Sequence, residues 1–94
     1  MPDIYKTKKP NELATTVYKV VASIPVGNTM SYKEVAVAAG SPQAYRRVAT
    51  LMRQNYDPNI PCHRVIKHDG SPGEYNRGGA SIKSALLRSE GVQL

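Results

Sequence analysis

Residues 31–55, SYKEVAVAAGSPQAYRRVATLMRQN, carry the signals for two short helices joined by a tight connection. Ser31 is followed three residues later by Glu34, which is the spacing of a capping box, where each side chain accepts a hydrogen bond from the other residue's backbone N–H. Gly40 suits the end of the helix that begins there, because glycine adopts the left-handed conformation without steric penalty. The apolar residues of this helix are Val35, Ala36 and Ala39.

The second helix of the pair should begin at Ser41, as its N-cap, and at Pro42, as its first helical residue. Two short helices separated by so few residues are typical of a helix-turn-helix unit, although many helix pairs without a role in DNA binding share this connection. The pattern predicts one buried face and an exposed basic surface. The buried residues are Val48, Leu51 and Met52, and the basic residues are Arg46, Arg47 and Arg53.

One further helix is predicted on each side of this unit. The segment NELATTVYKVVASI begins at Asn11, which can cap it, and the residues PVGN end it. The segment ASIKSALLRSEG ends at Gly91, and it follows the glycine-rich loop HDGSPGEYNRGG, which cannot be helical. The apolar face of the first helix comprises Leu13, Val17, Val20, Val21 and Ile24, and that of the last comprises Ile82, Ala85, Leu86 and Ser89.

These elements predict a mostly α fold: a small single domain with a helix-turn-helix (winged-helix-like) unit and one long loop. We place this domain at residues 11–94, after a basic flexible tail at residues 1–10. A chain of 94 residues fits a single domain with a thin hydrophobic core.

Charge and cysteine content narrow the classes of function. Thirteen Lys and Arg against seven Asp and Glu give a net charge of +6 and a pI near 9.7, so the surface attracts polyanions, of which nucleic acid is the commonest. A solvated basic surface is the alternative. No apolar run is long enough to cross a membrane, and the polar start MPDIYKTKKP is unlike a secretory signal. We therefore expect no membrane partner and a cytoplasmic protein, associated with nucleoid or nuclear DNA.

Cys62 is the only cysteine, which excludes an intramolecular disulfide. With only two histidines nearby, it also offers too few ligands for a typical zinc site. A free thiol has a pKa of about 8.5, so a reactive cysteine needs a base or positive charge, whereas an inert one packs in the core. His63 can serve as base through a water, since adjacent side chains of an extended segment point to opposite faces. Arg64 and Lys67 add positive charge. The acids that could orient the imidazole are Glu34, Asp57, Asp69, Glu74 and Glu90, and sequence spacing does not choose among them.

Five motifs together carry a family resemblance. PCHRV, with SYKEVA and AGSPQAYRRVATLMRQN before it and GEYNRGG and LLRSEG after it, closely resembles the C-terminal domain of the O6-alkylguanine-DNA alkyltransferases. The likeness extends from about Ala14 to Val92. Most such enzymes carry a separate N-terminal domain with no counterpart here. In this respect the chain is similar to the alkyltransferase-like proteins, which flip alkylated bases but have another residue in place of the acceptor cysteine.

The resemblance implies a set of catalytic residues. Cys62 is the implied alkyl acceptor, His63 the water-linked base, and Glu90 the carboxylate that orients it. Asn55 is implied to brace the turn between the DNA-binding helix and the cysteine segment. No metal and no organic cofactor is implied.

The resemblance also implies a DNA-binding surface and a base pocket. Tyr32 is implied to press on the phosphate 3′ to the target nucleotide and to donate a hydrogen bond to the flipped guanine, and Arg46 to fill the gap left in the base stack. The remaining DNA-binding residues are Ser31, Ala44 and Arg47. The pocket residues are Tyr32, Tyr75, Asn76 and Val65, in an active-site loop that closes over the base. Asn76 departs from the serine that is common in the family.

Three hypotheses about function follow. The first is a single-turnover repair enzyme that transfers an alkyl group from O6-alkylguanine in double-stranded DNA to Cys62, acting as a monomer. The second is a module that binds and flips the lesion and passes it to a separate repair protein. The third, a helix-turn-helix regulator with an inert thiol, leaves PCHRV and GEYNRGG unexplained. Length favours the second hypothesis, and the cysteine favours the first.

Overall fold

The first helix, α1 (Pro10–Ala22), packs its apolar face onto the helix-turn-helix unit. The computed structural model describes residues 10–73 and 75–94, with side chains from Glu12 onward, so residues 1–9 of the predicted tail and the candidate acid Glu74 lie outside the described residues. Pro10, predicted as the end of that tail, is the first residue of α1, where its missing N–H costs no hydrogen bond. Asn11 therefore lies inside the helix and is not its cap. The predicted apolar face is confirmed, with Val17, Val21 and Ile24 buried and Leu13 and Val20 packed against them.

The capping box at Ser31 is confirmed. Ser31 Oγ accepts from the Glu34 N–H at 3.0 Å, and Glu34 Oε1 accepts from the Ser31 N–H at 2.9 Å. These bonds start α2 (Tyr32–Ala38), which buries Val35 and Ala36. The helix ends before Gly40, whose φ of 83° lies in the left-handed region that favours glycine.

The second helix of the unit, α3 (Tyr45–Gln54), begins three residues later than predicted. Ser41 and Pro42 do not start it, because the Ser41 carbonyl accepts from the Ala44 N–H at 2.9 Å and closes a separate turn. Ala44 then occupies the N-cap position without a side-chain hydrogen bond. The predicted faces of α3 are confirmed: Val48, Leu51 and Met52 are buried, while Arg46, Arg47 and Arg53 are exposed.

A short parallel ladder joins the helix-turn-helix unit to the cysteine segment. Strand β1 (Met30–Ser31) immediately precedes α2, and strand β2 (Val65–Ile66) follows a 3₁₀ turn at Cys62–Arg64. Met30 pairs with Val65, and Ser31 pairs with Ile66. The ladder therefore holds the start of α2 beside the cysteine segment.

The last helix, α4 (Gly79–Ser89), buries a different face from the predicted one. Lys83 and Leu87 are its buried residues, whereas Ile82 is 46% exposed and Ala85 and Ser89 are also exposed. Gly78 precedes the helix with a φ of 129°, and a Cβ there would lie 2.7 Å from the Ile82 side chain. A side chain at position 78 would therefore clash with Ile82, and the turn before α4 requires glycine there.

The observed architecture confirms a mostly helical domain built on a helix-turn-helix unit, with a long non-helical loop before α4. The core lies between α1, α2, α3 and the cysteine segment. In the part of the chain that the structure describes, no helix combines the length and the apolar content that crossing a membrane requires.

Candidate active site and nucleic-acid surface

Cys62 opens the 3₁₀ turn and is only 4% exposed, packed among core residues. Its N–H donates to the Ile60 carbonyl at 2.8 Å, and the Arg64 N–H donates to the Pro61 carbonyl at 3.0 Å. Within the described residues, no hydrogen bond joins the thiol to His63. The thiol therefore lies at the edge of the core, and the His63 side chain contacts a different residue.

That partner is Glu90, which caps the C-terminal end of α4. Glu90 Oε2 lies 2.9 Å from His63 Nε2 and 2.8 Å from Arg64 Nη2, and Oε1 accepts from Arg64 Nε at 2.9 Å. Hydrogen bonds from Arg64, and to a smaller extent from His63, lower the pKa of Glu90 to about 2 against the opposing effect of burial. An ionised carboxylate only accepts, so His63 Nε2 must carry a proton and Nδ1 is the nitrogen left as a base.

Arg64 has a role that the sequence did not indicate. Beyond the paired contact with Glu90, its Nη1 donates to the Ile24 carbonyl at 2.8 Å, after the end of α1. The hydrogen bond to Glu90 raises the pKa of Arg64. The positive charge of Arg64 therefore stabilises the Glu90 carboxylate, and we do not propose that it also stabilises a thiolate at Cys62.

Asn55 lies between α3 and the cysteine segment and is 5% exposed. Its Nδ2 donates to the Ile60 carbonyl at 3.2 Å, and its Oδ1 accepts from the Asp57 N–H at 3.1 Å. The Ile60 carbonyl is also the acceptor for the Cys62 N–H. The Asn55 side chain and the Cys62 N–H therefore donate to the same carbonyl group. A side chain that stabilises the turn before Cys62 is expected at this location.

A small cavity of about 10 Å³ lies against Cys62. It brings together three of the residues predicted for the pocket, Tyr32, Tyr75 and Asn76, but not the fourth. Val65 is fully buried in the core and does not line this cavity, because its position in β2 turns its side chain inward. The complete lining consists of Tyr32, Met52, Arg53, Cys62, Tyr75, Asn76 and Lys83.

Lys83 is the functional candidate that sequence reasoning missed. It is 1% exposed, and its Nζ lies 3.4 Å from Tyr32 Oη and 5.6 Å from the centre of the Tyr32 ring. Burial lowers the pKa of Lys83 to about 8, while the negative charge of Cys62 opposes that shift. The available sequence signal was the spacing of Lys83 four residues before Leu87, on the stripe that α4 buries.

Tyr75 forms the wall of the cavity next to His63. The two rings meet edge to face, with centroids 6.5 Å apart and an angle of 73° between planes. Burial is the main cause that raises the pKa of Tyr75, and the negative charge of Cys62 adds to it. The phenol therefore stays neutral beside the thiol.

A second, larger cleft lies on the other side of Tyr32. It measures about 370 Å³ and is lined by Tyr32, Lys33, Tyr45, Lys67 and His68. Tyr32 thus lines both the Cys62 cavity and a basic cleft at the start of α3, where Arg46 and Arg47 are exposed. The other predicted DNA-binding residues are less accessible: Ser31 is buried and occupied by its capping box, and Ala44 is half-buried.

Among the residues of ranges 10–73 and 75–94, no three His, Cys, Asp or Glu side chains are grouped as a metal site requires. The Glu90 carboxylate is occupied by Arg64 and His63.

A basic helix-turn-helix unit with a cysteine buried behind it places the chain among DNA-binding domains that carry a thiol centre. Residues 12–92 match the family model described as the DNA-binding domain of 6-O-methylguanine DNA methyltransferase, and the chain belongs to this family.

Curated relatives agree with this assignment. The methylated-DNA–protein-cysteine methyltransferase of Methanothermobacter thermautotrophicus is 46% identical over 84 residues, which are 88% of this chain and 46% of that protein. The mouse protein of the same name is 43% identical over 77 residues, 81% of this chain and 36% of the relative. The chain therefore spans less than half the length of these relatives.

Two solved structures are similar in fold. The Mycobacterium tuberculosis OGT in complex with DNA has a TM-score of 0.78 at 39% identity, covering 83% of this chain and 48% of the other. Schizosaccharomyces pombe Atl1, in complex with damaged DNA containing O6-carboxymethylguanine, has a TM-score of 0.78 at 30% identity, covering 88% and 79%.

Proposed function

We propose that this chain repairs DNA by transferring an alkyl group from O6-alkylguanine to Cys62, once per molecule. The observation that carries the proposal is the buried thiol of Cys62 in a cavity beside the His63–Glu90 pair. Membership of the methyltransferase family and the DNA complexes of similar structures support it.

The chemistry begins with loss of the thiol proton. His63 Nδ1 accepts this proton through one water, and Glu90 stabilises the resulting imidazolium through Nε2. The positive charge of Lys83 favours the thiolate, which is the reactive form of cysteine. Sγ then forms a bond to the alkyl carbon as the bond from that carbon to O6 breaks. The electron pair stays on guanine, which takes up one proton from solvent while the His63 imidazolium releases the proton that it accepted, and Cys62 becomes a thioether.

The target base must leave the duplex before this reaction. A cavity behind Tyr32 is out of reach for a base that is stacked in the helix, so the nucleotide is flipped. The exposed guanidiniums of α3 and the lysines of the basic cleft supply phosphate contacts, and an inserted side chain compensates part of the lost stacking. We assign this insertion to Arg46, because it is exposed one residue after Tyr45, which lines the basic cleft.

Replacing Arg46 by alanine separates flipping from chemistry. We expect Arg46→Ala to slow transfer from duplex DNA by about tenfold or more, because the gap in the base stack is no longer filled and flipping costs a few kcal/mol. Reaction with the free base O6-benzylguanine, which requires no flipping, should stay unchanged. Single-turnover rates on the two substrates measure this. Arg47→Ala, at an exposed neighbouring position, is the matched control and should mainly reduce the salt dependence of binding. Equal losses on both substrates for Arg46→Ala would contradict the assignment.

The test of the proposal is the intact mass of the protein after incubation with excess duplex DNA containing O6-methylguanine. The mass should increase by one methyl group, the modified residue should be Cys62, and the yield should reach a plateau at one methyl group per chain. The plateau follows because a thioether is not hydrolysed back to a thiol. Repeated turnover would contradict the single-use mechanism.

The alternative is a non-enzymatic module that binds and flips the lesion for another repair pathway. The similarity to Atl1, of which this chain covers 79%, favours it. The same experiment separates the two functions, because this module would retain tight binding to lesion-bearing duplex while the mass of the protein stayed constant.

A further inference from the structure

Lys83 is a buried amine that the proposed transfer reaction uses only as a charge. Its side chain is 1% exposed, and it lines the cavity at Cys62 together with Tyr32 and Tyr75. An ammonium loses hydration in such a place, so burial favours the uncharged amine. The cavity therefore contains a second candidate nucleophile beside the thiol.

The surroundings of Lys83 increase the fraction of the amine that is neutral and able to react. Burial lowers its pKa from 10.5 to about 8, while the negative charge of Cys62 opposes this shift. About one molecule in ten then carries a neutral amine at pH 7, against about one in three thousand for an ordinary lysine. Lysines that form imines with carbonyl substrates are activated by burial in the same way.

The amine lies on the side of the cavity that adjoins the basic cleft. Its Nζ is 3.4 Å from Tyr32 Oη and 5.6 Å from the centre of the Tyr32 ring. Tyr32 also lines the basic cleft, where Lys33 and Lys67 offer contacts to phosphate groups. Lys83 is thus located where a bound sugar–phosphate backbone would meet the cavity.

An abasic nucleotide fits this location. Its ring-opened sugar carries an aldehyde at C1′, which is a carbonyl group attached directly to the backbone. The cavity volume of about 10 Å³ holds about one water molecule, so a carbonyl oxygen has room there, whereas a purine requires the cavity to widen. Extrusion is also least costly at such a site, because no base has to be unstacked or unpaired.

We propose that Lys83 captures abasic sites in DNA by forming an imine between Nζ and C1′ of the ring-opened sugar. The nitrogen lone pair adds to the aldehyde carbon, and the carbonyl electron pair moves to the oxygen. One nitrogen-bound proton is transferred to this oxygen. The second leaves with the hydroxyl group as water when the carbon–nitrogen double bond forms, so the step requires no oxidant or reductant. This activity uses the DNA-binding surface of the proposed function but not its acceptor thiol.

Reductive trapping tests the imine directly. The probe is a duplex with one abasic site, incubated with the parent chain and cyanoborohydride, which reduces an imine to a stable secondary amine. We expect a covalent protein–DNA adduct, and mass spectrometry after digestion should locate it on Lys83. A duplex with a tetrahydrofuran residue, which has no aldehyde, is the matched DNA and should give none. The absence of an adduct, or an adduct located on other lysines, would overturn the proposal.

Lys83→Met removes the amine and keeps the approximate shape of the side chain. The adduct yield should fall by about tenfold or more, because ordinary lysines are almost wholly protonated at neutral pH. Urea unfolding and anisotropy with the abasic duplex, without reductant, check that the variant folds and binds. Lys19→Met, at an exposed position of α1, is the matched control and should give the parent yield. Equal yields from Lys83→Met and the parent would contradict the capture. The adduct site on the parent chain decides the question even for a variant that does not fold.

The pH dependence of trapping separates Lys83 from the surface lysines. The trapping rate should level off above about pH 8, where the buried amine is mostly neutral. A reaction on exposed lysines would keep accelerating, because their pKa is near 10.4. A steep rise beyond pH 8 would therefore place the reaction on the surface and overturn the proposal.

The reaction with methylated DNA is measured separately, so the two functions can fail independently. If O6-methylguanine never alkylated the protein while the abasic duplex was trapped on Lys83, the proposed function would fail and the capture would stand. If Cys62 was alkylated and no adduct formed on Lys83, the capture alone would fail.

Discussion

Cys62→Ala should abolish alkyl transfer completely and leave the affinity for lesion-bearing duplex within about twofold of the parent chain. No other cysteine can accept the group, so no slow residual transfer is expected. Affinity should persist because binding comes from phosphate contacts to exposed cations, whereas Cys62 is buried in the core. Transfer is measured by intact mass and binding by fluorescence anisotropy with labelled duplex.

The alanine variant also tests folding, since Cys62 is a core residue. Removing one sulfur from a packed site should reduce the free energy of unfolding by about 1 kcal/mol, which leaves a folded domain. Arg46→Ala provides the contrast, because it should keep the thiol reactive toward a free base. Removal of methyl groups from DNA by Cys62→Ala would show that another residue is the acceptor.

Lys83→Met should make the protein more stable and the transfer slower. The buried ammonium has its pKa lowered from 10.5 to about 8, so folding penalises the charged form at neutral pH. At about 1.4 kcal/mol per pKa unit, this penalty is about 3.5 kcal/mol, and the contact with Tyr32 offsets part of it. Methionine has a similar shape without the charge. We expect a gain of about 1–3 kcal/mol at pH 7, measured by urea unfolding.

The pH dependence of the stability distinguishes removal of the buried charge from a change in side-chain packing. Between about pH 8 and 10.5 the unfolded chain holds the Lys83 proton and the folded chain has lost it, so the stability of the parent protein rises with pH in this window. The methionine variant lacks this rise, and its advantage should shrink toward pH 10. Lys19→Met, at an exposed position of α1, is the matched control and should give no comparable gain. A constant advantage from pH 7 to pH 10 would contradict the role of charge.

The kinetic effect of Lys83→Met should have the opposite sign. Without the ammonium, the cavity at Cys62 loses its buried positive charge and the contact with Tyr32, and the single-turnover rate should fall by about tenfold or more. A variant that is both more stable and as fast as the parent would remove Lys83 from the chemistry.

Local sequence rules predicted the helix-turn-helix unit well because its signals are local. The capping box of Ser31 and Glu34 needs only a spacing of three residues, and the structure contains both of its hydrogen bonds. The start of α3 was predicted wrongly, since a turn closed by the Ser41 carbonyl competes with a helix for the same residues. Helix propensity alone does not decide that competition.

The site was harder to predict because its partners lie far apart in the chain. Glu90 is 27 residues from His63, and spacing alone left five acids open; only the family resemblance selected Glu90. Lys83 was missed because a buried lysine contradicts the usual segregation of charge, and α4 offered a second apolar stripe containing Ile82. The structure buries the stripe of Lys83 and Leu87 and leaves Ile82 exposed.

The pairing of β1 with β2 has a consequence for how this domain can vary in length. The ladder fixes Met30 against Val65 and Ser31 against Ile66, independently of the thirty-odd residues between the two strands. Because loop closure becomes only slightly less favourable with each added residue, the connection at 40–44 can lengthen at little expense, whereas the connection at 56–60 is held by the two hydrogen bonds of the Asn55 side chain. An added residue between Ser31 and Tyr32 would break the three-residue spacing of the capping box, and one between Cys62 and Val65 would shift the thiol relative to the strand pair. Insertions and deletions should therefore be tolerated within residues 40–44 and excluded from the few residues that adjoin the two strands.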